Sequence, residues 1–233
     1  MKRRSFLFAA AGIGLLGSSA WAAPRLKVGN RDVFVVVDVQ NCFTPGGSLA
    51  VKEGDLIVPL INRIAKQFKN VVLTQDWHTA DHISFASQHA GKKPFEMMKL
   101  AYGNQVLWPD HCVQGTEGAA LNKDLDIPYA ELIIRKGYRR EMDSYSAFTE
   151  ADHKTQTGLG GYLKQRGLKR VYFAGLATDF CVGWSALDAR KQGFEALVIE
   201  DACRGIDVQG SLAKAWAAMK AAGVKRIQST DLI

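Results

Sequence analysis

The sequence predicts an α/β fold in which helices cover both faces of a parallel sheet. Strand-like and helix-like segments alternate from residue 32 to residue 228, and the first is a nearly continuous run of β-branched residues at 32–39. An apolar run without alternation is typical of a strand that is buried on both faces. Repeated alternation of strand and helix favours a parallel sheet between two helical layers.

The elements follow in order along the chain. Apolar runs predict strands at 32–39, 70–74, 131–135, 170–176, 196–200 and 225–228. Apolar residues at helical spacing predict helices at 56–68, 158–166, 180–192 and 209–222. The segment 77–128 breaks this regularity, and a long loop-rich stretch in a compact domain is often functional.

Composition excludes several classes of protein. Apolar residues make up 47% of the chain and charged residues 23%, as in ordinary globular proteins. Four cysteines in 233 residues are too few for a disulfide scaffold. The chain has no stripe of Lys and Arg with interleaved aromatic residues, so we expect no nucleic-acid partner.

The first 22 residues are predicted to be a signal peptide. A basic head at 2–4 precedes an apolar stretch at 6–20, and Ala20-Trp21-Ala22 has the form of a cleavage site. The apolar stretch is shorter than the roughly 20 residues that span a bilayer. We therefore expect cleavage after Ala22, a single domain over 23–233 and no stable membrane anchor afterwards.

The predicted signal peptide, or leader, also predicts the export route and the compartment of the protein. Arg3 and Arg4 resemble a twin-arginine signal, whose pathway exports folded proteins, so we expect a periplasmic protein. A general secretory signal is the alternative. Removal of the leader takes away three of the 30 basic residues, which lowers the net charge from +7 to +4 (27 basic and 23 acidic residues).

Polar side chains follow four of the predicted strands. They are Asp38 after the apolar run 33–37 of the first strand, Asp76 and His78 after the second strand, Lys136 after the third and Cys181 after the fourth. In open α/β sheets the ligand crevice lies beyond the carboxyl ends of the strands. We therefore expect a thiol, two carboxylates, an ammonium group and an imidazole to meet at this edge.

Three of these residues predict nucleophilic catalysis. Cys181 is expected in the first turn of a helix, where the helix dipole and a nearby Lys136 would lower the pKa of its thiol. Asp38 can accept the thiol proton and later return a proton to a leaving group. Backbone N–H groups in the turn 177–181 could stabilise an oxyanion.

A second group of residues predicts a metal site. Asp76 and His78 are two residues apart and face the same side of an extended segment, and His111 could supply a third ligand. One carboxylate and two imidazoles suit zinc, iron or manganese. Alternatively, the histidines are hydrogen-bonded loop residues. His82 could be a fourth ligand or could orient the others.

These residues lie in segments that together resemble nicotinamidase/pyrazinamidase, amidases of the isochorismatase-like cysteine hydrolase superfamily. The segments are DVQN at 38–41, DWH at 76–78, WPDHCVQGT at 108–116, KG at 136–137, DSYSAF at 143–148 and GLATDFCV at 175–182. The resemblance covers essentially the whole mature chain in the family's order. It implies a three-layer α/β/α fold with a six-stranded parallel sheet, the isochorismatase-like hydrolase fold.

The resemblance also implies roles for individual residues. It implies a catalytic triad of Asp38, Lys136 and Cys181. It implies that Asp76, His78 and His111 bind one divalent metal ion. It implies an oxyanion hole formed by the backbone N–H groups of Ala177 and Cys181, with a cis peptide bond between Leu176 and Ala177. It implies that Phe43, Trp108 and Tyr145 line the nicotinamide ring.

The implied reaction is hydrolysis of nicotinamide, and of pyrazinamide, to the acid and ammonia through a thioester. A different small amide as substrate, or a non-catalytic nicotinamide- or metal-binding protein, are the alternatives. Two features depart from the family. Cys42 stands where relatives usually carry an acidic residue, and relatives are mostly cytoplasmic, without a leader. No pattern in the sequence predicts the oligomeric state.

Overall fold

The computed structural model describes residues 25–233, so the predicted signal peptide at 1–22 lies outside the described residues. The strands are β1 Asp32–Val37, β2 Asn70–Asp76, β3 Met97–Leu100, β4 Gly103–Val106, β5 Leu132–Lys136, β6 Arg170–Leu176, β7 Glu195–Arg204 and β8 Lys225–Ile227. The α-helices are α1 Val58–Ala65, α2 Leu159–Gln165, α3 Gly183–Lys191 and α4 Ser211–Ala221.

The centre of the molecule is a six-stranded parallel sheet. Its strand order is β5-β2-β1-β6-β7-β8, and every neighbouring pair runs parallel. All residues of β1 and β2 are buried, which explains the apolar runs Val33–Val37 and Val71–Leu73 within them. The predicted fold class is therefore confirmed, and the six predicted strands are the six strands of this sheet.

The helices lie on both faces of the sheet because the chain moves in two directions across it. The connection from β1 to β2 moves one way, whereas those from β5 to β6, β6 to β7 and β7 to β8 move the other way. Right-handed crossovers therefore place α1 on one face and α2, α3 and α4 on the opposite face. Helices α3 and α4 pack against each other there.

A short antiparallel hairpin lies inside the segment that the sequence predicted to be loop-rich. Strands β3 and β4 pair over four residues each, and Gly103 adopts a positive φ of 132° beside the turn. Most of their residues are partly or fully exposed, so the hairpin lacks the apolar run that marks the central strands. This hairpin corrects the expectation of irregular structure throughout 77–128.

The helix predicted at 180–192 begins differently from the expectation. A π-helical turn, Thr178–Val182, precedes α3 and runs directly into it. Gly183 marks the junction, where an added Cβ would lie 2.8 Å from the carbonyl oxygen of Thr178. Cys181 therefore lies in this wider turn and not in the first turn of α3. Within residues 25–233, no helix combines the length and apolar character needed to cross a bilayer.

Candidate active site

Four polar side chains meet at the carboxyl edge of the sheet. Asp38 follows β1, Asp76 ends β2, Lys136 ends β5 and Cys181 follows β6. Because β1 lies between β2 and β6, and β5 is the other neighbour of β2, these strand ends are adjacent. The structure thus brings the predicted thiol, carboxylates and ammonium group into one cluster.

Lys136 is the centre of this cluster and is fully buried. Its Nζ lies 2.8 Å from Oδ2 of Asp38 and 3.2 Å from Sγ of Cys181. It also forms an ion pair with Oδ1 of Asp76 and donates a hydrogen bond of 3.1 Å to the carbonyl oxygen of Ser144. One ammonium group therefore contacts two carboxylates and the thiol.

The charges in the cluster stabilise one another. Burial by itself would lower the pKa of Lys136, but Asp38 and Asp76 outweigh it and raise that pKa, so the ammonium stays charged. Burial raises the pKa of Asp38, and the attraction of Lys136 opposes the rise only in part. Thr74 Oγ1 donates a 2.5 Å hydrogen bond to Oδ1 of Asp38 and fixes the carboxylate plane.

The environment of Cys181 differs from the expectation of a low thiol pKa. Burial raises the pKa of Cys181 well above its ordinary value, although Lys136 acts in the opposite direction. The resting side chain is therefore a protonated thiol. A base must remove this proton before the sulfur can act as a nucleophile, and a carboxylate oxygen of Asp38 lies within 4.8 Å of Sγ.

Asp76, His78 and His111 form a cluster of three buried ligand-type side chains. Oδ2 of Asp76 lies 3.7 Å from Nε2 of His78 and 3.8 Å from Nε2 of His111. The other ring nitrogen of each histidine faces a backbone carbonyl, Gly137 at 2.8 Å and Pro109 at 2.9 Å. These contacts orient both Nε2 atoms towards the carboxylate, as in metal sites.

The electrostatics of this cluster also suit a metal ion. Burial, together with His78, lowers the pKa of His111 to about 3, so its imidazole is neutral and can act as a ligand. Burial opposes ionisation of Asp76, but Lys136 and the two imidazoles outweigh it and hold the pKa of Asp76 below its ordinary range. Burial by itself would lower the pKa of His78, but Asp76 outweighs it and raises that pKa, so binding of a metal ion there would release a proton from His78. One carboxylate and two imidazoles are a ligand set that fits a divalent ion.

His82 lies beside the cluster, with its ring centroid 4.3 Å from that of His78. Its Nδ1 lies 2.7 Å from Oγ of Ser84, and its Nε2 lies 3.3 Å from the carbonyl oxygen of Met142. Both ring nitrogens are thus engaged by the protein. His82 also forms a second group of buried ligand-type side chains with His78 and Asp143, whose ligand atoms lie within 4.8 Å of one another.

Cys181 and the three residues of the metal-type cluster line one small cavity. Its walls include Phe43, Leu49, Asp76, His78, Trp108, His111, Asp143, Tyr145, Ala177, Phe180, Cys181 and Ile206. The three aromatic residues predicted to line a ring are all present in these walls. Tyr145 is fixed there because its hydroxyl accepts hydrogen bonds from Trp108 Nε1 at 3.0 Å and from Gln105 Nε2 at 2.8 Å.

The predicted cis peptide bond joins Leu176 to Ala177. It stands at the end of β6, directly before the π turn that carries Cys181. Ala177 and Cys181, whose N–H groups were expected to stabilise an oxyanion, both line the cavity. The turn therefore presents the thiol and these two residues to the same space.

Sequence reasoning missed two buried glutamines that hold the site together. The side chain of Gln40 donates to the carbonyl oxygen of Asp76 at 2.9 Å and accepts from its backbone N–H at 2.8 Å. The side chain of Gln105 donates to Oδ2 of Asp143 and to Tyr145. Gln40 lies two residues after Asp38, at the end of a buried strand, and this position was the available signal.

Sequence reasoning also missed a disulfide bond. Cys42 and Cys112 are joined, with Cα atoms 5.6 Å apart, whereas Cys181 and Cys203 are free. Spacing alone does not reveal which cysteines pair. The residue that departs from the family pattern, Cys42, is thus one half of a covalent cross-link beside the site.

Comparison with known proteins places the chain in a family. The Isochorismatase domain matches residues 32–231. A nicotinamidase from Acinetobacter baylyi is 57% identical over 209 residues, which cover 90% of this chain and 98% of that protein. The chain therefore belongs to the isochorismatase-domain family and, within it, groups with the nicotinamidases.

Solved structures agree with this grouping. The chain is similar to an Acinetobacter baumanii nicotinamidase pyrazinamidase, with 64% identity, a TM-score of 0.87 and coverage of 87% of this chain and 98% of that one. It is also similar to PnC1 from L. infantum in complex with nicotinate, with 38% identity, a TM-score of 0.79 and coverage of 90% and 98%. A pyrazinamidase from Pyrococcus horikoshii in complex with zinc shares 37% identity, a TM-score of 0.70 and coverage of 85% and 99%.

Proposed function

We propose that the chain is a metal-containing cysteine amidase that hydrolyses nicotinamide to nicotinate and ammonia, and pyrazinamide by the same route. One observation carries the proposal: Cys181 shares a small aromatic-walled cavity with Asp76, His78 and His111. The nicotinamidase and pyrazinamidase activities named for the relatives support the choice of substrate.

The first chemical step is activation of the nucleophile. Asp38 takes the proton from Sγ of Cys181, and Lys136 stabilises the resulting thiolate through its 3.2 Å contact. A raised pKa suits Asp38 as a base, because a stronger base removes a thiol proton more readily. The ion pair with Lys136 keeps the carboxylate ionised in the resting enzyme.

The second step forms the thioester. The thiolate adds to the carboxamide carbon, and the developing oxyanion accepts hydrogen bonds from the backbone N–H groups of Ala177 and Cys181. Asp38 then donates its proton to the amide nitrogen, the C–N bond breaks and ammonia leaves. A nicotinoyl group remains bound to Sγ through a thioester.

The third step regenerates the enzyme. Asp38 accepts a proton from a water molecule, whose oxygen adds to the thioester carbonyl. The C–S bond then breaks, nicotinate leaves, and the sulfur recovers its proton from Asp38. Lys136 stays charged throughout, because the Asp76 carboxylate remains ionised beside it while Asp38 gains and loses a proton.

Asp76, His78 and His111 would hold one divalent ion, zinc, iron or manganese, at the cavity wall. When bound, such an ion supplies a Lewis acid for the pyridine nitrogen of the substrate. Phe43, Trp108 and Tyr145 exclude water and confine a planar ring, which positions the carboxamide beside Cys181.

The proposal includes export to the periplasm through the predicted twin-arginine signal. The Cys42–Cys112 disulfide supports an oxidising compartment, because disulfides are rare in proteins of the reducing cytoplasm. An exported enzyme of this kind would act on amides outside the cytoplasm.

Ammonia release by the purified mature protein tests the proposal. We expect release from nicotinamide and pyrazinamide, little from benzamide, which lacks the ring nitrogen, and none from aliphatic amides. Acid quenching during turnover should leave a nicotinoyl group on the peptide that contains Cys181. Substitution Cys203→Ala is the matched control, since Cys203 is the other buried free cysteine of the described chain.

The same set of amides also distinguishes this function from the two alternatives, a different amide substrate and a binding protein without activity. Release from a different small amide, with none from nicotinamide, would replace the substrate but keep the chemistry. Binding of nicotinamide without any ammonia would contradict the enzymatic proposal and favour a binding protein.

A further inference from the structure

The disulfide between Cys42 and Cys112 joins two segments that are 70 residues apart in the chain. Both cysteines are buried, at 0% and 1% exposure. Cys42 belongs to the short turn Asn41–Phe43, which follows β1 and contributes Phe43 to the cavity wall. The cross-link therefore lies against the candidate site and not on a remote surface.

Cys112 is tied to both histidines of the metal-type cluster. His111 precedes it in the chain. The backbone N–H of His78 donates a 3.1 Å hydrogen bond to the carbonyl oxygen of Cys112. Movement of Cys112 would therefore displace His78 and His111 together.

The turn on the other side of the disulfide holds the third member of the cluster. Gln40 pairs with both the N–H and the carbonyl oxygen of Asp76. Through Gln40 and Cys42, the short segment 40–42 is thus connected to the Asp76 carboxylate and to the segments that carry the two histidines.

The hydrogen bonds that join the segment around Gln40 to the loop after Cys112 reach a part of that loop farther along the chain. Gln40 donates to the carbonyl oxygen of Ala119 at 2.8 Å, and the N–H of Asn41 donates to Ala120 at 3.1 Å. The Asn41 side chain also donates to Glu117, so these contacts lie five to eight residues beyond Cys112 in the chain. The disulfide is the covalent tie from this turn to the stretch that carries His111.

We propose that the Cys42–Cys112 disulfide is a staple that retains the metal ion in an oxidising compartment. This inference rests on the proposed function, since it takes Asp76, His78 and His111 as ligands. A metal ion leaves when its ligands separate, and a cross-link beside two of the three restricts that separation. Cys42 and Cys112 are thus positioning residues that do not touch substrate.

Formation of the staple is an oxidation with a simple balance. The two thiols lose two protons and two electrons as the S–S bond forms, and a disulfide oxidant such as oxidised glutathione accepts them and becomes two thiols. Cys181 is free in the same structure, so the oxidation leaves the proposed nucleophile available.

The test compares metal release from zinc-loaded protein with and without the cross-link. A chromophoric chelator reports the rate at which zinc leaves. The samples are oxidised wild type, wild type that was made in a reducing cytoplasm and never oxidised, and Cys42→Ser/Cys112→Ser. Cys203→Ser is the matched control, because it removes a buried cysteine that forms no disulfide. Mass spectrometry after denaturing alkylation identifies the bonded pair in each sample.

We expect zinc to leave roughly tenfold faster from both samples that lack the bond, in line with the loss of other groups that support metal ligands. The Cys203→Ser protein should match oxidised wild type. Equal release rates in all samples, or free thiols at Cys42 and Cys112 in protein from the periplasm, would overturn the proposal. The reduced wild type keeps the test decisive if the double variant does not fold.

Nicotinamide hydrolysis by the oxidised wild type is measured in parallel. Activity with equal metal release would reject the staple and leave the proposed function standing. Absence of ammonia release despite slow metal release would reject the proposed function alone.

Discussion

Asp76 and Lys136 are register partners at the ends of β2 and β5, and their side chains form a buried ion pair. Asp76 also faces His78 and His111, whereas Lys136 also contacts Asp38 and Cys181. The metal-type cluster and the proposed triad therefore share one electrostatic contact. A change on either side of this pair must affect the other.

Substitution Lys136→Met should therefore reduce both stability and turnover. Removal of the ammonium leaves two buried carboxylates without their partner, and such a loss costs about 3–5 kcal/mol of unfolding free energy. Denaturant unfolding measures this cost. Steady-state kinetics on the folded fraction should show a fall in kcat with a similar KM, since Lys136 stabilises charge that develops during attack.

The control for this experiment is Lys92→Met, which removes an exposed lysine paired with the exposed Glu96. Exposed pairs contribute about 0–1 kcal/mol, so this variant should resemble wild type. An effect of Lys136→Met confined to KM would contradict the assigned role.

Substitution Cys181→Ala should abolish amidase activity and leave the fold intact. The side chain is small, so the unfolding free energy should change by no more than about 1–2 kcal/mol. Cys181 is the one thiol among the described residues that line the cavity, and its loss should lower kcat on the order of 10³-fold or more. Turnover within about tenfold of wild type, at equal folded concentration, would remove Cys181 from the mechanism.

Elemental analysis should find one divalent metal ion per chain in protein purified without chelator. Substitution His111→Ala should abolish this content, because it removes one of the three proposed ligands. Exposed His153 supplies the comparison, and His153→Ala should keep the metal. Dialysis against a strong chelator should suppress nicotinamide hydrolysis, and zinc, iron or manganese should restore it. Full activity in metal-free protein would refute the site.

Replacement of Arg3 and Arg4 by lysine should leave the precursor in the cytoplasm. The twin-arginine pathway reads this pair, whereas general secretion needs only a positive charge before the apolar stretch. Cell fractionation followed by immunoblotting measures the distribution of the two forms. Normal delivery of the lysine variant to the periplasm would favour general secretion.

The six strands of the sheet could be predicted from the sequence, but the structure of the segments that connect them could not. Buried parallel strands such as β1 carry an unbroken apolar signal, and the polar residue after each one marks the carboxyl edge. The β3–β4 hairpin is half-exposed and short, so its sequence lacks that signal. Helix α1, Val58–Ala65, is shorter than the predicted range 56–68, because helix ends are the least certain part of a helix prediction.

The site was partly predictable for a similar reason. Residue types and strand ends were enough to bring Asp38, Lys136 and Cys181 together, although their roles stay predictions. The pKa of Cys181 was misjudged because burial outweighs the nearby lysine, and burial is a property of the folded chain. The Cys42–Cys112 pairing likewise depends on proximity across 70 residues, which spacing does not encode.

The reactive residues and the aromatic residues of the cavity wall come from different parts of the fold, and this difference has an evolutionary consequence. The reactive groups stand at or just beyond the carboxyl ends of the parallel strands, whereas Phe43, Trp108 and Tyr145 come from connecting segments. Loops accept substitutions more readily than buried strands. A lineage of such enzymes can therefore exchange one amide for another through point changes in the connections, while the inherited chemistry of the strand ends persists unaltered.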